Sequence, residues 1–249
     1  MLRYFIEVAY KGTRYSGFQI QQNANSVQAE IGKAIKIFFR EEISLTCSSR
    51  TDAGVHALSN YFHFDAAGLP EQTALNEIIY NLNSILPDDI VVKRIVEVSP
   101  TAHSRFDAVS REYQYNVYQT KDPFVADRAY YYPYKLEIDK LQEAAGVIND
   151  YTDFTSFSKR NTQVKTFNCK IIKSGWSITN NLAVYNVEAN RFLRGMVRGL
   201  VGTMLKAGTG KISIDEFRGI IESKDCTKAD FSVPPQGLFL LAVRYKFQI

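Results

Sequence analysis

The sequence predicts an α+β protein built from two similar halves, each with the element order β-α-β-β-α-β. Segments in which apolar and polar residues alternate, as in half-buried strands, are separated by segments with apolar residues at helical spacing. This order occurs twice along the 249 residues, without a low-complexity stretch or a long linker. We therefore expect an N-terminal half at residues 1–104 and a C-terminal half at residues 105–249, with one extra helix in the second half.

The first half begins with a strand of alternating residues. Its strands are predicted at Arg3–Tyr10, Ile43–Cys47, Leu58–Phe64 and Ile90–Val98, and its helices at Ser26–Phe39 and Leu75–Ile85. Asn25 or Ser26 is available as the N-cap of the first helix, because both side chains accept hydrogen bonds from free helix amides. Pro87 stops the second helix, since proline lacks the N–H that a helix interior uses.

The second half follows the same order. Its strands are predicted at Arg111–Tyr118, Cys169–Ser177, Leu182–Ala189 and Gly237–Phe247, and its helices at Ile138–Ile148, Phe192–Lys206 and Asp215–Ser223. Asn180 and Asn181 predict a tight hairpin turn, since asparagine tolerates positive φ. Gly208 ends the long helix, and a Pro-Pro-Gln-Gly turn introduces the final strand.

Repeated β-α-β-β-α-β order is the split-βαβ pattern, which builds mainly antiparallel sheets with the helices on the outer face. The other sheet face stays open, as in RNA-recognition modules (an RRM-like arrangement). Two such halves side by side would form a central cleft. Because a fold by itself does not define an activity, the function has to come from the site residues.

Composition and charge exclude several classes of protein. Hydrophobic residues make up 45% of the chain and charged residues 22%, which is typical of a globular protein. No apolar run approaches the roughly 20 residues of a membrane span, and Arg3 and Glu7 interrupt the segment where a signal peptide would lie. We therefore expect a cytoplasmic protein. The three cysteines and three histidines match no disulfide framework and no zinc spacing, so we expect no metal.

A short polar segment between two predicted strands, residues 49–57, contains Arg50, Asp52 and Gly54. From the pattern alone, the commoner interpretation is that Asp52 caps a compact turn through its own side chain. The alternative is that Asp52 is a catalytic carboxylate.

Two further groups of residues are candidates for RNA binding. On the predicted long helix, three arginines at spacings of three and four would share one face beside three glycines: Arg191, Arg194 and Arg198, with Gly195, Gly199 and Gly202. Each glycine costs roughly 1 kcal/mol in a helix interior, so we expect a close approach of backbone or ligand there. The alternative is a solvated face beside a packing seam.

On the predicted strand that opens the second half, Arg111, Tyr113 and Tyr115 point to the same side. Aromatic rings beside an arginine can stack an unpaired base, although an aromatic core face is equally compatible with this pattern. Arg105 and Phe106 lie just upstream and extend the same candidate surface.

The chain resembles the tRNA pseudouridine synthase A family in five segments that occur in the family's order. They are Tyr10–Gln21 with Ser26–Gln28, Arg50–Ala57, Arg105–Phe106 with Arg111-x-Tyr113-x-Tyr115, Asp153–Phe157, and Phe192–Arg198 with Val201–Gly202. The similarity covers nearly the full chain. Ser49, Phe18 and Lys11 stand where the family usually has Gly, Trp and Asp.

The resemblance implies an isomerase that converts uridine to pseudouridine at positions 38, 39 and 40 of the tRNA anticodon stem-loop, acting as a homodimer without a cofactor. It implies that Asp52 is the catalytic Asp, that Tyr113 is the active-site Tyr and that Arg198 is the basic partner. Arg50 matches the arginine that is inserted where the base leaves the stack. We expect Arg105, Arg111, Arg191 and Arg194 to bind RNA beside these residues, and we expect packing and loop hydrogen bonding from His56 and His63.

Three other functions remain open at this point. A non-catalytic RNA-binding module would use the same sheets and arginines, and a pseudouridine synthase for a different RNA would have much the same loop. A metal-dependent hydrolase is disfavoured by the scattered His and Cys residues.

Overall fold

The structure, a computed structural model, describes residues 1–66, 72–160, 164–247 and 249. Over these residues the chain is a mixed α+β protein with five α-helices and mainly antiparallel strand pairs, which confirms the predicted class. It divides into two compact units. The first unit comprises Met1–Val109 and Phe239–Ile249, and the second comprises Ser110–Leu238.

Over its described residues, the first unit contains five strands and two α-helices. They are β1 (Leu2–Tyr10), α1 (Val27–Phe39), β2 (Thr46–Cys47), β3 (His56–Ala66), α2 (Gln72–Ile85), β4 (Ile90–Val98) and β9 (Leu238–Tyr245). β1 lies between β3 and β4 and is antiparallel to both, and β2 is antiparallel to β3. β9 is parallel to the start of β3.

The core of the first unit lies on both faces of β1: this strand, predicted to be half-buried, is buried continuously from Tyr4 to Val8. Phe5, Ile6 and Phe62 are fully buried, and α1 adds Val27 and its neighbours one helical turn apart. α1 begins after Ser26, whose hydroxyl accepts a 3.3 Å hydrogen bond from the Ala29 amide, as its role of N-cap requires.

As far as it is described, the second unit contains four strands and three α-helices. They are β5 (Ala108–Tyr118, whose first two residues belong to the first unit), β6 (Tyr130–Tyr131), α3 (Ile138–Val147), β7 (Ile171–Thr179), β8 (Leu182–Ala189), α4 (Met196–Gly208) and α5 (Ile214–Glu222). β8 lies between β5 and β7 and is antiparallel to both, and β6 is parallel to β5. α3 packs against β7, α4 and α5. Asn180 and Asn181 have φ values of 49° and 63°, so the predicted hairpin is confirmed with its turn.

The last strand of the chain returns to the first unit. The last strand, β9, pairs with β3 through Phe239 and Leu240, and residues Phe239–Ile249 belong to the first unit. Alternation of residues predicts a strand but does not identify its pairing partner, so this return of the chain is absent from the sequence pattern.

Across the ranges given above, the structure contains no helix with the length and hydropathy that a membrane span needs.

Candidate active site

Asp52 lies on an irregular loop that connects β2 to β3 in the first unit. Along this loop the side chains alternate: Ser49 and Thr51 are each only 8% exposed, whereas Arg50 is exposed and Asp52 is half-buried. The two inward residues anchor the loop to the core. The two outward residues are therefore accessible to a ligand.

Backbone groups close the turn that follows Asp52. The Val55 amide donates to the Asp52 carbonyl at 3.2 Å, and Gly54 has a φ of 78°, a conformation that favours glycine. In the described part of the first unit, no donor binds the Asp52 carboxylate. The interpretation of Asp52 as a side-chain turn cap is therefore wrong, and its carboxylate is available for chemistry.

The segment after β1 supports this loop from one side. The Gly12 amide donates to Nδ1 of His56 at 3.1 Å, and a Cβ on Gly12 would lie 2.0 Å from the Val55 carbonyl oxygen. Only glycine fits so close to the loop. The Phe18 amide donates to the Thr51 carbonyl at 3.1 Å while its ring is fully buried, so phenylalanine fills this position without leaving the loop unsupported.

Tyr15 connects the same segment to the residues before β4. Its hydroxyl donates to Asp89, which also forms a 2.8 Å ion pair with Arg14. Burial, together with the Asp89 carboxylate, raises the pKa of Tyr15 to about 12. Tyr15 is thus a neutral donor, and its carbonyl accepts from the Gly54 amide at 3.4 Å.

Two of the predicted RNA-binding arginines come together around Cys47 at the end of β2. Burial raises the pKa of the Cys47 thiol, while the positive charges of Arg50 and Arg105 act in the opposite direction. Arg105 also lies over the ring of Phe106, 5.7 Å from its centroid, and Phe106 is 74% exposed. This side of the first unit therefore presents two cations and an aromatic ring to solvent.

The two histidines of β3 have the expected packing and loop-bonding contacts. His56 is buried and stacks on Phe239 with ring centroids 4.6 Å apart. His63 is hydrogen-bonded to the Ser104 hydroxyl at 2.9 Å, and burial lowers its pKa to about 4. Neither histidine faces the Asp52 carboxylate as a hydrogen-bond donor.

The second unit contains Arg198, on the first turn of α4. The predicted start of this helix at Phe192 is wrong, because Gly195 has a φ of 76° and α4 begins at Met196. Arg191 and Arg194 therefore precede the helix, and the expected helical face shared by the three arginines does not exist. The spacing of hydrophobic residues does not reveal that a glycine within an apparent helix has a positive φ.

The glycines of α4 have the close contacts expected of them. A Cβ on Gly199 would lie 2.7 Å from the Phe231 ring, and one on Gly202 would lie 2.2 Å from the Asp230 carbonyl oxygen. The chain around residues 230–233 thus lies directly on this helix. Arg198 forms two hydrogen bonds with this segment. Its Nε donates to the Val233 carbonyl at 2.8 Å, and its Nη2 donates to the Phe231 carbonyl at 3.4 Å.

These carbonyls orient the Arg198 guanidinium without neutralising it. In the second unit, as far as it is described, no carboxylate forms an ion pair with this side chain. A half-buried guanidinium with spare N–H groups and an uncompensated charge is suited to bind an anion.

Tyr113 on β5 is 9% exposed and meets the ring of Phe192 edge-on at a centroid distance of 5.0 Å. Tyr115 is fully buried, and its hydroxyl donates to the Pro234 carbonyl at 2.7 Å, so this ring belongs to the core. Arg111 donates to the Asn190 carbonyl at 3.1 Å. Of the predicted surface formed by Arg111, Tyr113 and Tyr115, only Arg111 and Tyr113 remain candidates for RNA binding.

The remaining arginines before α4 differ in exposure. Arg194 is exposed, and its carbonyl accepts from the Lys159 amide at 3.0 Å. Arg191 is half-buried near Cys169, where burial raises the pKa of the thiol to about 11 and the arginine opposes this rise.

The structure thus divides the candidate residues between its units. Arg50, Asp52 and Arg105 belong to the first unit, and Tyr113, Arg111, Arg191, Arg194 and Arg198 belong to the second. Among the described residues, no three His, Cys, Asp or Glu side chains are grouped so that they could hold a metal ion. Sequence reasoning assigned no separate role to Tyr10 or Asn60, which form hydrogen bonds behind the Asp52 loop. Asn60 had no distinguishing signal in the sequence, because β3 also contains Ser59 and His63.

Comparison of the sequence with known proteins identifies its family. Residues 6–107 and 151–246 match the family described as tRNA pseudouridine synthase. The chain belongs to this family, whose members are isomerases.

Full-length relatives narrow the position within the family to the tRNA pseudouridine synthase A group. The tRNA pseudouridine synthase A of Parabacteroides distasonis is 45% identical over 248 residues, which cover 98% of this chain and 96% of the relative. The protein of that name from Bacteroides fragilis is 44% identical, with 99% and 98% covered. The one from a Geobacillus species is 38% identical, with 96% of each chain covered.

Proposed function

We propose that this tRNA pseudouridine synthase isomerises uridines at positions 38, 39 and 40 of the anticodon stem-loop, with Asp52 as its catalytic carboxylate and without a metal or another cofactor. The proposal depends on one observation, the exposure and hydrogen bonding of the Asp52 side chain. Its loop is held by backbone and buried side chains, while its own carboxylate is half-exposed and is bound by no donor in the described part of its unit. A carboxylate that the fold does not use is free to act on a substrate.

The reaction itself supports chemistry without a cofactor. The bond between N1 and C1′ breaks, a bond between C5 and C1′ forms, the proton on C5 is lost and N1 gains a proton. No atom is oxidised or reduced overall, so a nucleophile or base and a proton acceptor are sufficient. Asp52 would either attack covalently or take a proton from the ribose.

The target uridine has to leave the helical stack before it can react, at a cost of a few kcal/mol. We assign Arg50 to the vacated space, since a guanidinium both stacks and binds phosphate. Its exposure beside Asp52 supports this assignment. Arg105, near the same thiol as Arg50, would hold an adjacent phosphate.

The second unit would supply the remaining groups. Tyr113 would pack on the base and pass on the C5 proton, and Arg198 would be the cationic partner that keeps the catalytic carboxylate ionised. The carbonyl-only partners of Arg198 within its unit support this role. Arg111, Arg191 and Arg194 would contact the RNA backbone. The split-βαβ halves and the central cleft stay predictions.

Two further features belong to the proposal. The enzyme would act as a homodimer, as the resemblance implies, so that one subunit binds the body of the tRNA while the other performs the reaction. It would act in the cytoplasm, where tRNA is modified.

Release of tritium from tRNA carrying C5-tritiated uridine tests the role of Asp52. We expect release by the wild-type enzyme and none by Asp52→Asn, with unchanged tRNA binding. Asp88→Asn, an exposed carboxylate of the same unit, is the matched control and should keep full activity. Release by Asp52→Asn at the wild-type rate would remove Asp52 from the mechanism.

A further inference from the structure

Behind the Asp52 loop lies a buried polar group that the reaction described above does not use. Asn60, on β3, is 0% exposed, although asparagine is rarely buried completely. An amide in such a position costs free energy unless its hydrogen-bonding capacity is satisfied. The partners of this side chain therefore indicate why it is there.

The Asn60 carboxamide makes four hydrogen bonds, and two of them hold the start of the loop. Its Oδ1 accepts from the Ser48 hydroxyl at 3.0 Å and from the Tyr61 amide at 3.0 Å. Its Nδ2 donates to the Ser49 carbonyl at 3.0 Å. The chain that enters the loop is thus bound at Ser48 and at Ser49.

The fourth bond reaches the residue before Asp52 through a tyrosine. Nδ2 of Asn60 donates to the hydroxyl of Tyr10 at 3.3 Å, and that hydroxyl shares a 2.8 Å hydrogen bond with the Thr51 hydroxyl. Tyr10 is 4% exposed, so this connection lies away from solvent. Asn60 thereby binds the inward residues on both sides of Arg50.

The alternation of the loop gives these bonds a consequence. Ser49 and Thr51 point inward and Arg50 and Asp52 point outward, so the depth at which the inward pair is held determines where the outward pair projects. The geometry points to Asn60, acting with Tyr10, as a positioning residue that sets the reactive placement of Asp52 and Arg50. This inference rests on the proposed function of Asp52.

The clearest variants remove single donors. Asn60→Asp keeps the shape and both acceptor roles of Oδ1 but loses the donations to Ser49 and Tyr10, and Tyr10→Phe loses one buried hydroxyl. Asn83→Asp is the matched control: this asparagine of the same unit donates to the Val92 carbonyl at 2.9 Å and accepts from the Val92 amide at 2.7 Å, away from the loop. Each variant is compared by single-turnover rate at saturating tRNA, by tRNA affinity and by near-UV circular dichroism.

We expect Asn60→Asp and Tyr10→Phe to lower the single-turnover rate by about 10–100-fold with unchanged tRNA affinity and a native spectrum, because misplacement by about 1 Å can cost on the order of 100-fold. Asn83→Asp should keep the wild-type rate. Equal losses in Asn60→Asp and Asn83→Asp, or losses that follow the unfolded fraction, would overturn the inference. If Asn60→Asp does not fold, the single-turnover rate of Tyr10→Phe tests the inference instead.

Asp52→Asn measured in parallel separates the two levels of the proposal. An inactive Asp52→Asn together with a fully active Asn60→Asp would reject the positioning role alone. An active Asp52→Asn would reject the proposed function from which the positioning role follows.

Discussion

Replacing Gly202 on α4 by alanine should destabilise the second unit. Alanine is favoured over glycine in a helix interior by up to about 1 kcal/mol. Against this, the new Cβ would lie 2.2 Å from the Asp230 carbonyl oxygen, whereas carbon and oxygen atoms normally approach to about 3.3–3.6 Å. Relieving the overlap requires backbone to move, and overpacking of this kind costs about 1–3 kcal/mol. We expect a net loss of about 1–2 kcal/mol in the free energy of unfolding.

The same substitution should also lower activity. The chain that has to move carries the Phe231 and Val233 carbonyls that orient Arg198, so the guanidinium would shift with it. Urea unfolding and tritium release on the same protein preparation measure both effects.

Gly219→Ala on α5 is the control for this prediction. Apart from its chain neighbours and the backbone of its own helix, no described atom lies within 4 Å of a Cβ at this position. The substitution should therefore stabilise the protein by about 0.5–1 kcal/mol and leave activity unchanged. If Gly202→Ala proved as stable as the wild type, or if both substitutions shifted stability in the same direction, the reasoning from close approach would be refuted.

Two more predictions concern single positions. Burial lowers the pKa of His63 to about 4; His103 and Arg3 act in the same direction, and Asp65 and Asp107 oppose it. Between pH 4 and pH 6.5 the unfolded chain therefore binds more protons than the folded protein does. The free energy of unfolding should fall as the pH drops from about 6.5 toward 4. His63→Gln should make this decline shallower in urea unfolding at pH 7 and pH 5, and an unchanged decline would exclude His63 as its source. Asn181→Val places a β-branched residue at a φ of 63° and should cost about 1–2 kcal/mol without loss of activity, whereas unaltered stability would contradict the assigned turn.

Features that depend on neighbouring residues could be predicted from the sequence. The turn at Asn180 and Asn181 followed from a local backbone preference, and the N-cap of α1 from one hydroxyl. The start of α4 could not be predicted, because Gly195 fits a helical repeat yet has positive φ. The pairing of β9 with β3 joins residues far apart in the chain, which periodicity does not encode.

In the candidate site too, local features could be predicted from the sequence, whereas contacts between distant residues could not. The residue pattern alone favoured Asp52 as a turn cap, and the resemblance implied a catalytic role, which stays a prediction. The structure removes the turn-cap interpretation, because backbone groups close the turn. The contacts of Asn60 with Tyr10 and the Ser48–Thr51 segment exist only once β1, β3 and the loop are folded together. The sequence does not reveal such a network, because Asn60 is only one of several polar residues in β3, beside Ser59 and His63.

The most direct test of the central claim uses tRNA transcripts in which a single labelled uridine stands at position 38, 39 or 40. After incubation with wild-type enzyme or Asp52→Asn, the transcripts are digested to nucleotides and pseudouridylate is separated from uridylate. The account predicts pseudouridylate at these positions with the wild-type enzyme and none with the variant. Pseudouridylate formed by Asp52→Asn, or labelled uridine left unchanged by the wild-type enzyme, would contradict it.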